Sequence, residues 1–251
     1  MKRIKLTIAY DGQKYSGWQI QNNANTIQAE IEKACQNLFS QEIKVIGASR
    51  TDTGVHALGQ VATFDIDTSI PDKKIAYALN ARLPEDIVVQ ESKEVHNSFQ
   101  PRYHAIKKTY HYHIINNEFI LPQYRAYNHF VSRKLDINKM QEATKLFIGE
   151  KDFKSFCSAN SSVKTTIRTI YALEVEQKAP FLTIKVTGNG FLYNMVRIIA
   201  GTLIDVGLNR LSIQEVDEII KSKNRAKASP TAPAKGLTLV KIYYGGKDDE
   251  S

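Results

Sequence analysis

The chain predicts an α+β fold made of two similar halves, each an antiparallel sheet with helices on one side. Three observations carry that expectation. Some stretches alternate apolar and polar residues as strands do, others repeat apolar residues at spacings of three and four as helices do, and the second half repeats the strand-and-helix order of the first loosely. The boundary is expected between Glu94 and Lys108, dividing the chain into 1–105 and 106–251.

The elements follow in order. Arg3 to Tyr10 places Ile4, Leu6, Ile8 and Tyr10 on one face, a strand pattern. It runs into a glycine-punctuated loop, Asp11-Gly12-Gln13-Lys14-Tyr15-Ser16-Gly17-Trp18. Ile27, Ile31, Ala34 and Leu38 then predict a helix from Ile27 to Phe39, capped by Asn25 or Thr26. A short strand near Lys44 to Ile46 leads to a second loop, Gly47 to Ala57. After it come a strand from Gln60 to Ile66, a helix near Lys73 to Ala81 and a strand near Ile87 to Gln90.

In the second half, Thr109 to Ile115 alternates as a strand, with Tyr110, Tyr112 and Ile114 on one face. Asp136 caps a helix bearing Ile137, Met140 and Phe147, and strands are expected over Thr169 to Glu176 and Leu182 to Thr187. An apolar helix from Met195 to Val206 precedes a helix opened by Ser212, whose Glu215 completes a capping box. Leu237 to Tyr244 closes the fold as a strand, and Gly245 to Ser251 is a polar tail expected to fray.

Composition narrows the function. Hydrophobic residues at 42% and charged residues at 24% of 251 exclude a disordered or fibrous chain. No apolar run approaches the roughly 20 residues that cross a bilayer, and the N-terminus lacks a signal-peptide stretch. Two cysteines, Cys35 and Cys157, speak against a disulfide framework and a cysteine metal cluster. A cytoplasmic protein with no membrane partner is expected. The net charge of +8 attracts polyanions, nucleic acid foremost.

Two features ask for a chemical reason. The loop Gly47 to Ala57 gathers Arg50, Asp52 and His56 between glycines, with Val55 its main apolar anchor. Asp52 either caps a turn or is displayed as a reactive carboxylate whose charged form a nearby guanidinium favours. The second feature is Arg197, inside Met195-Val196-Arg197-Ile198-Ile199-Ala200. Such a helix is normally buried, so the guanidinium either snorkels to the surface or meets a carboxylate, for which Asp52 is the best candidate.

With these residues in view, the chain resembles the tRNA pseudouridine synthase A family. Arg50-Thr51-Asp52-Thr53-Gly54-Val55-His56-Ala57 resembles that family's catalytic signature, in which the Asp is the essential residue. Ala9-Tyr10-Asp11-Gly12 through Tyr15-Ser16-Gly17-Trp18-Gln19-Ile20-Gln21 is similar to its N-terminal block, and Lys107-Lys108-Thr109-Tyr110-His111-Tyr112 to its central strand. Asn189-Gly190-Phe191 through Arg197 with Gly201 resembles its third motif, and Gly236-Leu237-Thr238-Leu239 its closing strand. Thr53 and Thr238 depart from the common pattern without altering its charged or aromatic set.

The resemblance implies two ferredoxin-like, RRM-like halves with an active-site cleft between them. It also implies cofactor-free and metal-free conversion of uridine to pseudouridine at positions 38, 39 and 40 of the tRNA anticodon stem-loop. The N1–C1′ bond breaks, the uracil turns in the site, and C5 bonds to C1′. A hydrolytic glycosidase generally needs two carboxylates, whereas an isomerisation that keeps its leaving group can use one. Asp52 would attack C1′ or take the C2′ proton. Tyr110 would stack on a flipped base, Arg197 would pair with Asp52, and Arg50 would contact phosphate or splay the nucleotide. Leu237 or Leu239 would wall the base, and Lys107, Lys108 and the Lys221 to Lys235 segment would track the RNA backbone. A homodimer is implied by the resemblance alone.

Two rival classes remain at this stage. A non-catalytic RNA-binding module fits the charge but gives Asp52 no reason to face an RNA anion. A metal-dependent hydrolase would draw on Asp65-Ile66-Asp67 or on His111 and His113, neither of which has a third ligand nearby in sequence.

Overall fold

The computed structural model describes residues 1–158 and 163–245, so the greater part of the expected polar tail lies outside the described residues. The chain divides into two compact units, Met1–Ile106 together with the chain from Thr238 onward, and Lys107–Leu237. The first holds β1 (Lys2–Tyr10), α1 (Ile27–Phe39), β2 (Ile46–Gly47), β3 (His56–Ile66), α2 (Asp72–Asn80) and β4 (Ile87–Val95). The second holds β5 (Lys107–Asn116), β6 (His129–Val131), α3 (Ile137–Thr144), β7 (Gly149–Asp152), β8 (Ile167–Lys178), β9 (Phe181–Gly188), α4 (Met195–Gly207) and α5 (Ile213–Ser222). The closing strand is β10 (Leu237–Tyr243). The chain is thus a mixed α+β protein.

In the first unit β1 runs antiparallel to both β3 and β4, so that Leu6 lies opposite Ala62 on one side and Ser92 on the other. The expected face of β1 is the core face: Ile4, Leu6 and Ile8 are fully buried, while Arg3, Lys5 and Thr7 between them are only half-buried. Helix α1 has the bounds its periodicity predicts, and Thr26 rather than Asn25 is its cap, the side chain accepting from the Ala29 N–H. Helix α2 is fixed to β4 by side chains. Ser92 Oγ accepts from Ala76 N at 2.8 Å, and Asn80 exchanges two bonds with the Val89 backbone at 2.8 and 2.9 Å.

The closing strand departs from the expected division. β10 lies parallel to β3, with Thr238 against His56 and Leu239 against Ala57, and groups with the first unit, not the second. A parallel neighbour must arrive by a long crossover, and here the chain between them takes in α2, β4 and the entire second unit. Strand β3 also begins earlier than its alternation suggested. It starts at His56, inside the expected loop, and is buried on both faces, which erases the period-two signal.

The second unit is a sheet in the order β5-β9-β8-β7, antiparallel throughout, with the short β6 parallel to β5. Neither β6 nor β7 is expected from sequence, because three or four residues carry too little alternation. Helix α3, capped by Asp136 as expected, ends at Thr144; Phe147, expected on that helix, sits in a following 3₁₀ turn and stays fully buried. Helix α4 buries residues on nearly every side. Helix α5 carries the predicted Ser212 and Glu215 capping box.

Among the described residues no helix is long and apolar enough to cross a membrane. Cys35 and Cys157 are both free and buried, and burial pushes the Cys35 thiol up to about 12.

Candidate active site

In the first unit, two loops far apart in sequence are joined into one frame around Asp52. The N-terminal loop is anchored first. Ile27 and Gln28, whose N–H groups open α1 without helical partners, donate to the carbonyls of Gly17 and Trp18 at 3.2 and 3.0 Å. Trp18 and Tyr15 are buried, and the Tyr15 hydroxyl donates to Asp86 at 2.5 Å. Burial and that carboxylate raise the Tyr15 phenol well above its usual range.

The Asp52 loop is then clamped onto this anchored segment. Trp18 N–H donates to the Thr51 carbonyl at 3.0 Å, Gly54 N–H to the Tyr15 carbonyl at 3.3 Å, and Val55 N–H to the Asp52 carbonyl at 3.1 Å. The Tyr10 and Thr51 hydroxyls lie 2.7 Å apart. Two glycines make this approach feasible. A Cβ at Gly12 would sit 2.0 Å from the Val55 carbonyl oxygen, and one at Gly17 would sit 2.6 Å from that of Thr51. The loop's other flank is pinned by the fully buried Gln60, which donates to the Ser49 carbonyl at 2.6 Å and accepts from Ser49 N at 3.2 Å.

Within this frame Asp52 is half-buried, Arg50 is exposed and His56 is buried. His56 is not a loop residue but the first of β3. Its Nδ1 accepts from Gly12 N–H at 3.2 Å and lies 3.2 Å from an Asp11 carboxylate oxygen. Leu239 is fully buried beside Ala57, which brings the closing strand to the end of the Asp52 loop.

In the second unit Tyr110 is buried on β5, edge-on to Phe191 with ring centroids 5.3 Å apart. Tyr112, on the same face, donates its hydroxyl to the Pro233 carbonyl at 2.9 Å. Burial raises the Tyr112 phenol well above its usual range, against the opposing pull of Arg197. Arg197 is half-buried on α4, donating from Nε to the Ala232 carbonyl at 2.7 Å and from Nη1 to Asn194 Oδ1 at 2.8 Å. Asn194 caps α4 in the left-handed conformation (φ 60°) and its amide donates to Ser158 Oγ at 3.0 Å. Gly201 lets the proline segment lie close, since a Cβ there would meet the Pro230 carbonyl oxygen at 2.3 Å. From sequence, Arg197 was expected to meet a carboxylate or to reach the surface. Within its own unit the guanidinium meets two neutral acceptors.

Lys107 and Lys108 open β5 half-buried, and Leu237 is buried. In the Lys221 to Lys235 segment, Lys221 pairs with Asp217 and Lys223 with Asp152 at 2.5 and 3.0 Å, and Arg225 bonds the Ala228 carbonyl and the Thr231 hydroxyl. Of the residues that suggested a metal, three have contacts of other kinds. Asp65 forms a two-bond fork with Arg3 at 2.7 Å each, and the His111 and His113 rings stand edge to face. Among the described residues no group of three or more potential ligands is assembled.

The roles of Tyr10, Gln60 and Asp86 in the frame, and of Asn194 beside Arg197, were not foreseen from sequence. The one visible signal was Trp18, the only tryptophan in the chain, set next to Gly17.

A half-buried aspartate on a loop braced by main-chain bonds, in an α+β chain of net charge +8, is the arrangement that an enzyme acting on a polyanion would use. A family model for tRNA pseudouridine synthase matches residues 6–104 and 143–245. A tRNA pseudouridine synthase A of Thermoanaerobacter sp. (strain X514) is 49% identical over 244 residues, covering 97% of this chain and 100% of that protein. Another, of Acetivibrio thermocellus, is 48% identical with the same coverage of both chains. The chain belongs to the tRNA pseudouridine synthase family, isomerases that convert uridine to pseudouridine in tRNA.

Proposed function

We propose that the protein isomerises uridines 38, 39 and 40 in the anticodon stem-loop, with Asp52 as the reacting carboxylate. The observation that supports this most is the framing of Asp52. Its flanks are tied to an anchored loop by bonds at the Thr51 carbonyl and the Gly54 N–H, its own carbonyl accepts from Val55 N–H, and its side chain stays only half-buried. A turn-capping aspartate needs no such frame; a group that must meet one atom of a bound nucleotide does.

In this reading the two units are ferredoxin-like halves, a view supported in the first by its β-α-β-β-α-β order and β4-β1-β3-β2 strand pairing. Arg197 is the partner of Asp52 in this reading, favouring its ionised form. Tyr110 stacks on the flipped base, Leu237 and Leu239 wall it, and Arg50, exposed beside Asp52, holds phosphate or splays the nucleotide. Lys107 and Lys108 follow the RNA backbone, and two copies of the chain act as a homodimer.

The chemistry is redox-neutral. The N1–C1′ bond breaks, the C5–C1′ bond forms, and the proton lost from C5 is matched by one gained at N1, so no cofactor is consumed. Asp52 either adds to C1′ or removes the C2′ proton.

The test is to incubate purified protein with an unmodified tRNA transcript bearing uridines throughout its arms and to map pseudouridine. Modification confined to 38–40 is expected. Pseudouridine placed in another arm, with the anticodon arm untouched, would sink the substrate assignment.

A further inference from the structure

We propose that the Tyr10 hydroxyl is a positioning group for the carboxylate of Asp52, acting through Thr51; this deepens, and rests on, the reading of Asp52 as the reacting group. Tyr10 ends β1 and is buried, as is Thr51, and their hydroxyl oxygens are 2.7 Å apart. Thr51 is therefore held twice, at its side chain by Tyr10 and at its carbonyl by the Trp18 N–H.

The two restraints differ in what they demand of the sequence. The bonds of Trp18 and Gly54 use main-chain atoms and are open to any residues that make the turn. The hydroxyl pair needs a phenol at position 10 and an aliphatic hydroxyl at position 51. Main-chain bonds at the Thr51 carbonyl, the Asp52 carbonyl and the Gly54 N–H fix where the loop passes. The bond at the Thr51 side chain adds a restraint on the Cα that precedes Asp52. A hydrogen bond between buried hydroxyls is short and directional, so it sets an orientation as well as a distance. A reacting group displaced by about 1 Å loses up to roughly a hundredfold in rate.

The Tyr10 ring has its own place, its centroid 6.2 Å from that of Trp18. Deleting only the oxygen therefore leaves the ring packing and removes the orienting bond.

The experiment compares Tyr10→Phe, Thr51→Val, Thr51→Ser, the double variant Tyr10→Phe/Thr51→Val and Asp52→Asn. Tritium release from 5-tritiated uridine in tRNA is followed well below the melting temperature of each. Tyr10→Phe and Thr51→Val are each expected to lower kcat by about tenfold with KM unchanged. The double variant should be no worse than either single, because both delete the same bond. Thr51→Ser, which restores the hydroxyl, should recover most of the rate lost in Thr51→Val. Should Tyr10→Phe fail to fold, the valine and serine variants decide alone. Wild-type kcat in folded Tyr10→Phe and Thr51→Val, an effect on KM only, or equal losses in Thr51→Val and Thr51→Ser would overturn the role given to Tyr10. Turnover by Asp52→Asn would instead remove the underlying reading, and the positioning role with it, whatever the Tyr10 variants do.

Discussion

The guanidinium of Arg197 donates through Nε to the carbonyl of Ala232 at 2.7 Å, so a charge in the apolar first turns of α4 is aimed by the backbone of a distant segment. That segment is itself fixed, by Tyr112 at Pro233 and by the close approach of Pro230 to Gly201. The Asn194 side chain takes a second guanidinium N–H at 2.8 Å. Arg197 is thus oriented by the chain itself, as the electrostatic role proposed for it would require.

Arg197→Lys follows as a first prediction. Lysine keeps the charge but, as a point charge on a flexible stem, cannot satisfy both acceptors in the guanidinium's planar geometry. We expect kcat to fall by about a hundredfold and tRNA binding to change little. Steady-state tritium release and filter binding check this; a lysine variant with the wild-type kcat would refute it.

Tyr110 provides the second. A stacked base is worth about 1–3 kcal/mol by alanine substitution, so Tyr110→Ala should weaken substrate binding roughly tenfold to a hundredfold, whereas Tyr110→Phe should bind nearly as the parent does. Equal losses in both variants would show that the hydroxyl, not the ring, matters. Because Tyr110 is buried against Phe191, the alanine variant must first be shown to be folded by its melting curve.

The third prediction concerns pH. The two-bond fork from Arg3 holds the Asp65 carboxyl below the usual carboxylate range. Its folded-state pKa is lower than its unfolded one, so the pair stabilises the fold above the unfolded value near pH 4 and loses that contribution as pH falls through the lowered folded value. Asp65→Asn should therefore be less stable than the parent at pH 7, and the gap should close toward acid. Denaturant melts across that range measure it. A gap that widened with acid would contradict the assignment.

How much was legible in advance depended on how local the cause was. Helix α1 with its Thr26 cap, and α5 with its Ser212 and Glu215 box, are written within a few consecutive residues, and both were visible. The pairing of β10 with β3 was not, because Thr238 and His56 lie at opposite ends of the chain and nothing in either names the other. His56 looked like a loop residue because β3 is buried on both faces and shows no alternation. The candidate residues were legible as chemical types: Asp52 and Arg197 stood out for charge in unusual surroundings, and Tyr110 through the family resemblance. Their supports did not. Gly12 is an ordinary turn glycine in sequence, and only the 2.0 Å approach of the Val55 carbonyl gives its reason. The same holds for Tyr10, which alternation marked merely as a core residue.

The most direct test of the account is the turnover of Asp52→Asn, which preserves shape and removes the charge. We expect loss of activity by roughly ten-thousandfold or more, as for a group that takes part in bond making, with tRNA affinity within about threefold of the parent in the same preparation. A folded, tRNA-binding Asp52→Asn protein that still released tritium from 5-tritiated uridine at within about tenfold of the parental rate would contradict it.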